Sequence, residues 1–240
     1  RITMNTAVGS MRLRSYLSEG ANDNYKFKAI IMAGGPGSGK SYHASKILGE
    51  LDGAVRVVNI DKAHEAFIGR YSTKRELVDT SKRVTLEAMA QYIAAGLPMI
   101  IDSTSANFRL TIHRIQLLQH LGYDVGMIFV DTPREIARQR NSARQRVVDQ
   151  EAFDALHEKI SKHASAYKRM FANTFFAHLD VEMMDDAFIK SVATKGRRFF
   201  ETPVKNDIGE RLVAATDRGN YYDLNVIRRS LGGWFSRFED

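Results

Sequence analysis

The clearest chemistry in the chain sits in one short run. Gly34-Gly35-Pro36-Gly37-Ser38-Gly39-Lys40-Ser41 satisfies the pattern G-x-x-x-x-G-K-[ST] at every position. Glycines let the backbone turn successive N–H groups inward around phosphate oxygens. Lys40 brings an ammonium to the outer phosphates, and Ser41 offers a hydroxyl to a divalent cation. Gly35, Gly37, Ser38, Gly39, Lys40, Ser41 and Tyr42 are therefore predicted to hold a nucleoside triphosphate. The spacing of Gly35, Gly37 and Gly39 does not fit G-x-G-x-x-G, so a dinucleotide site is not expected there.

The remaining candidates are carboxylates at the ends of apolar runs, and arginines. Asp61 follows "AVRVVNI", 54–60, where a general base for an attacking hydroxyl belongs. The alternative for Asp61 is a cap on a helix over 62–68. Asp102 follows "LPMII", 97–101, and an Asp at the end of an apolar strand holds Mg²⁺ directly or through water. Thr104 and Ser105 add hydroxyls for an acceptor or a phosphate, with capping of a helix near 107 as the competing role. "PREIARQRNSARQR", 133–146, carries five arginines against one glutamate. Arg134 with Arg138 and Arg140 with Arg144 are i,i+4 pairs, which repel unless an anion lies between them. A lid closing arginines on a phosphoryl group would use this arrangement.

These residues must be positioned by a scaffold. Apolar runs at 27–33, 54–60, 97–101 and 124–130 read as strands buried on both faces, and 173–181 as a shorter fifth. Between them lie helical patterns at 40–51, 74–95, 107–121, 133–146 and 151–171, with Gly96 and Gly122 at helix ends. Strand and helix in alternation predict an α/β fold, with a parallel sheet sandwiched by helices. In such sheets the site lies beyond the carboxyl ends of the strands, where the glycine loop, Asp61, Asp102 and Asp131 all fall. We divide the chain into an arm over 1–25, a core domain over 26–181 and a mostly helical C-terminal appendage over 182–240. Gly9-Ser10-Met11 resembles an artificial junction before a native start, so 1–10 are left out of the fold reading.

Composition narrows the class further. The chain has 240 residues, a net charge of +7 and no cysteine, so disulfides and thiolate metal sites are excluded. No apolar run approaches the roughly 20 residues that span a bilayer, and 1–20 lack the apolar core of an export signal. A cytoplasmic location, without a membrane, is expected. A positive field favours phosphates and nucleic acids. Residues 187–240 carry ten Lys and Arg against seven Asp and Glu, which suits a polyanion. Phe199, Phe200, Tyr221, Tyr222 and Trp234 are either core residues or platforms for stacking bases.

The ordered set "GGPGSGKS", "VNID", "IIDSTSANFR", "GYDVGMIFVD" and "RQRNSARQR" resembles the P-loop kinases of the polynucleotide 5′-hydroxyl kinase group, especially the phage-type enzymes. The same core is similar to zeta-toxin-like kinases. The resemblance covers about 28–165. It implies a P-loop kinase fold with ATP and Mg²⁺, and ATP phosphates on Gly37, Gly39, Lys40 and Ser41. It implies Asp61 as the acceptor-activating base, Ser41 and Asp102 at the metal, and Arg140 and Arg144 as lid arginines. Asp102, Thr104, Ser105 and Arg109 would then form the acceptor region. Where family members often carry an arginine one turn after the base, this chain has Lys62, Ala63 and His64. The expected reaction is transfer of the γ-phosphoryl group to a hydroxyl of a nucleic acid, either a 5′ end or a modified base. A kinase acting on a UDP-sugar or nucleotide hydroxyl, and an ATP-driven binding switch, are the alternatives. A phage-encoded chain would work in the host cytoplasm. The sequence leaves the oligomeric state open.

Overall fold

A computed structural model describes residues 25–49, 55–143, 148–172, 174–180, 185–215 and 221–235. Residues 1–24 of the arm expected over 1–25, and Arg144 and Arg146 of the expected lid, lie outside them. β1 (Lys28–Ala33) leads through the glycine loop into α1 (Lys40–Gly49), followed by β2 (Arg56–Val58), α2 (Ile60–Phe67) and α3 (Lys74–Ala94). Then come β3 (Met99–Asp102), α4 (Phe108–His120), β4 (Asp124–Asp131), α5 (Arg134–Ser142), α6 (Gln150–Met170) and β5 (Phe176–Asp180). The C-terminal region adds α7 (Asp186–Glu201), α8 (Asp207–Ala215), α9 (Leu224–Ser230) and a 3₁₀ turn, Leu231–Gly233.

All strand pairs are parallel, in the order β2-β3-β1-β4-β5. β1 is central and all six of its residues are buried. Its alternate side chains divide the core in two, as the two-residue strand period requires. Ala29, Ile31 and Ala33 pack with Met89 and Ile93 of α3, Ile115 of α4, Ile160 and Tyr167 of α6, and Ile227 and Trp234. Ile30 and Met32 face Ala44 of α1 and Val192, Ala193 and Phe200 of α7. Helices beyond residue 182 thus cover both faces of the sheet. Phe200 is fully buried, Trp234 is 2% exposed, and Phe199, Tyr221 and Tyr222 pack against the core. Of the two roles expected for these aromatics, the structure gives them the core one.

One polar exception sits inside this framework. Lys28, 1% exposed, places its ammonium 2.6 Å from Asp124 at the start of β4 and 3.0 Å from the Pro203 carbonyl. Asp124 also accepts the Lys205 N–H at 2.8 Å. Burial pushes the Lys28 ammonium below its usual pKa, and Asp124 pulls it partway back. Among the described residues, no helix is long and apolar enough to cross a membrane.

Candidate active site

The second strand is shorter than its apolar run. It ends at Val58, and Asn59, not Asp61, caps the following helix by accepting the Asp61 and Lys62 N–H groups at 2.7 and 3.1 Å. Asp61 therefore lies in the first turn of α2, exposed, and not at the strand end. Asn107 likewise caps α4 by accepting the Leu110 N–H at 2.8 Å, which relieves Asp102 and Ser105 of the capping role. Asn side chains suit both places, because a short amide reaches back to orphan helix N–H groups.

Capping uses only the oxygen of Asn59. Its amide nitrogen donates to Asp102 Oδ2 at 2.8 Å, and Ser41 Oγ donates to the same oxygen at 2.8 Å. One carboxylate thus joins the end of β3, the start of α1 and the start of α2. Ser41 and Asp102 stand out in the sequence by type and spacing, and Asn59 does not. Its signal was an Asn just before a helical segment, within "VVNID".

The loop between β1 and α1 is bound on every side. Lys40 Nζ donates to the Gly34 and Gly35 carbonyls at 2.8 and 2.9 Å, curling the loop around the ammonium. The Gly34 N–H donates to the Thr104 carbonyl at 3.2 Å. Buried Thr132, after β4, donates its hydroxyl to the Ser38 carbonyl at 2.9 Å. His157 Nε2 on α6 lies 2.9 Å from the Thr132 carbonyl. Thr132 and His157 are supports with no motif of their own in the sequence.

Gly37 has φ +73, and a Cβ on it would lie 2.1 Å from the Ala137 carbonyl oxygen of α5. Contact this close is possible only without a side chain. Gly37→Ala is expected to push the loop off α5 and weaken ATP binding by at least ~10-fold, since strain at such a backbone site is of order 1–3 kcal/mol. Titration with a fluorescent ATP analogue checks this, and affinity like that of the native chain would refute it.

Gly37 to Tyr42 and Arg140 line a hollow of about 210 Å³. Arg140 Nη1, from the last turn of α5, would lie 3.5 Å from a Cβ on Gly39. Beneath, buried His43 is held below its usual pKa by burial, with Arg140 adding to the effect. The other arginine pair finds its anion within the protein. Arg134 and Arg138 both bond Asp154 of α6, at 2.7 and 3.2 Å. Hydrogen bonds from Gln150, Arg134 and Arg138 hold that carboxyl down at about 2. These two arginines brace α5 against α6, and Arg140 faces the hollow.

Thr104 is exposed, Ser105 is 3% exposed, and Arg109 is exposed on the first turn of α4. The Ser105 hydroxyl lies 3.4 Å from that of Ser103, and its N–H donates to Ser103 Oγ at 3.1 Å. Ser105 therefore shapes the loop, while Thr104 and Arg109 remain open to a substrate.

Hydroxyl and carboxylate oxygens converging at Ser41 and Asp102 suit a hard cation such as Mg²⁺. Among the described residues no cluster of three or more His, Cys, Asp or Glu side chains forms a self-sufficient metal cage. A cation here would take its remaining ligands from phosphates and water, as Mg²⁺ does.

Comparison with known proteins agrees with this fold. The family model described as AAA domain matches residues 30–163, more than half of the chain. A kinase candidate from Chloroflexus aurantiacus superposes with a TM-score of 0.53 at 15% identity, over 72% of this chain and 97% of that one. A chain of the Pnkp1/Rnl/Hen1 RNA repair complex superposes with a TM-score of 0.50 at 19% identity, over 62% of this chain and 48% of that one. At these identities the likeness establishes the fold alone. No curated protein matches the chain.

Proposed function

Because the chain belongs to the AAA domain family, we propose that it is a Mg²⁺·ATP-dependent phosphotransferase whose acceptor is a hydroxyl of a nucleic acid, a 5′ end or a modified base. The observation that carries this reading is one hollow lined by Lys40, Ser41 and Arg140, with Ser41 bonded to Asp102 and Asp102 to Asn59.

The loop N–H groups and Lys40 bind the β and γ phosphates. Ser41 and Asp102 would hold Mg²⁺, which when bound would supply charge neutralisation to the phosphate oxygens. Asn59 fixes the rotamer of Asp102 and anchors the helix start that carries Asp61. Asp61 is thereby two residues from a side chain that touches the metal node. Its carboxylate takes the proton of the acceptor hydroxyl. The acceptor oxygen forms a bond to the γ phosphorus while the bond to the β–γ bridging oxygen breaks, and ADP leaves. Arg140 stabilises the charge spread over the transferring group. A net charge of +7 favours a polyanionic acceptor.

The test is transfer from γ-labelled ATP to 5′-hydroxyl DNA and RNA, DNA with hydroxymethyl bases, and UDP-sugars. Label on a polymer, falling steeply as salt rises and lost in Asp61→Asn, is the expected result. Label on a UDP-sugar alone overturns the acceptor assignment. ATP hydrolysis with no labelled acceptor overturns phosphoryl transfer and leaves a binding switch.

A further inference from the structure

Arg114, on α4, is half-buried, and its contacts are a main-chain carbonyl, a hydroxyl and two rings. Its Nε and Nη2 donate to the Trp234 carbonyl at 2.9 and 2.6 Å. Its guanidinium lies over the Trp234 and Phe235 rings, 5.1 and 5.9 Å from their centroids. Its Nη1 reaches Ser103 Oγ at 3.4 Å. Burial pushes this guanidinium down to about 10, still protonated at neutral pH. The C-terminal segment thereby touches, through one side chain, the loop that follows Asp102.

That loop needs support. Ser105 has φ +53, a left-handed conformation that costs a non-glycine residue of order 1–3 kcal/mol unless its surroundings impose it. Two groups impose it from opposite sides. Tyr167 of α6 donates its hydroxyl to the Ser105 carbonyl at 2.8 Å, and burial raises its pKa to about 12, so it stays a donor. On the other side Ser103 Oγ receives both the Ser105 N–H and Arg114. Between them the Thr104 carbonyl accepts the Gly34 N–H, so the loop's position is also that of the first residue of the phosphate loop.

The geometry points to Arg114 as a positioning residue: stacked on and bonded to the Trp234–Phe235 segment, it sets the 102–105 loop against the phosphate loop. The C-terminal region is then a working part of the site. Arginine is required, because only a planar fork bonds one carbonyl through two nitrogens, stacks on rings and reaches a second acceptor. This inference rests on the phosphotransferase reading for its kinetic consequence, but not for its structural one.

The experiment compares the full chain with Arg114→Lys and Ser103→Ala, which keep the fold's apolar core intact. It measures kcat and KM for ATP and acceptor, ATP affinity, melting temperature, and amide hydrogen exchange over 103–105. The expected result is a fall in kcat of roughly 10–100-fold, the range for losing a hydrogen-bonded support behind a functional side chain. ATP affinity falls by less than kcat, and exchange at Ser105 accelerates in both variants. Native kcat in Arg114→Lys overturns the inference. So does an equal loss of kcat, ATP affinity and melting temperature, or native exchange at Ser105 in Arg114→Lys. If the native chain labels no acceptor, the phosphotransferase reading fails on its own, and exchange at Ser105 still decides whether Arg114 sets the loop.

Discussion

Lys40→Ala is expected to lower phosphoryl transfer by roughly 10²–10³-fold, the loss that follows removal of one preorganised donor from a developing charge. Two effects combine. The ammonium proposed to meet the outer phosphates disappears, and the Gly34 and Gly35 carbonyls lose the donor that curls the loop. A hydrogen bond from a charged donor contributes about 1.5–3 kcal/mol, so the loop loosens as well as losing its charge. Lys40→Arg should not restore the rate, because a planar fork cannot replace a compact point charge within a hollow of about 210 Å³. Single-turnover rates at saturating ATP separate the chemical step from binding. A rate within about threefold of native, where one donor is worth 10²-fold or more, would remove Lys40 from the reaction.

Lys28→Ala should have the largest effect on stability, about 3–5 kcal/mol, the penalty for removing one partner of a buried pair. Asp124, whose side chain is 14% exposed, would be left with only the Lys205 N–H as a donor. The Pro203 carbonyl would lose the ammonium, and the Phe199 ring the cation 5.1 Å from its centroid. For a chain of this size, each kcal/mol shifts the melting temperature by about 2–4 °C, so a fall of roughly 6–20 °C is expected by circular dichroism. Lys28→Met with Asp124→Leu should recover part of the loss, because no unpaired charge remains. A fall under about 2 °C for Lys28→Ala, less than 1 kcal/mol, would mean that the pair contributes little.

The two sites differ in how far the sequence reveals them. The phosphate loop is legible because its requirements are local. Glycines, a lysine and a serine at fixed spacing, between an apolar run and a helical pattern, meet a need set by one ligand. The parallel sheet is legible for a similar reason: continuous apolar runs alternating with helical periods leave few other ways to bury both faces. Lys28 breaks such a run, and only its partner 96 positions later explains it.

What the sequence determined by itself was the α/β class, the order of elements, the glycine loop and the rim where Asp102 must lie. What only the tertiary structure decided were the partnerships across that rim. Asn59 bonding Asp102, Thr132 and His157 holding the loop, Arg138 bonding Asp154 while Arg140 faces the hollow, and Arg114 joining residue 234 to Ser103 are all contacts between distant segments. Spacing along a chain specifies which side chains share a helix face or a strand face. It carries no information about which polar group from another element will arrive to satisfy them. That is decided when the elements pack and each buried donor must find an acceptor.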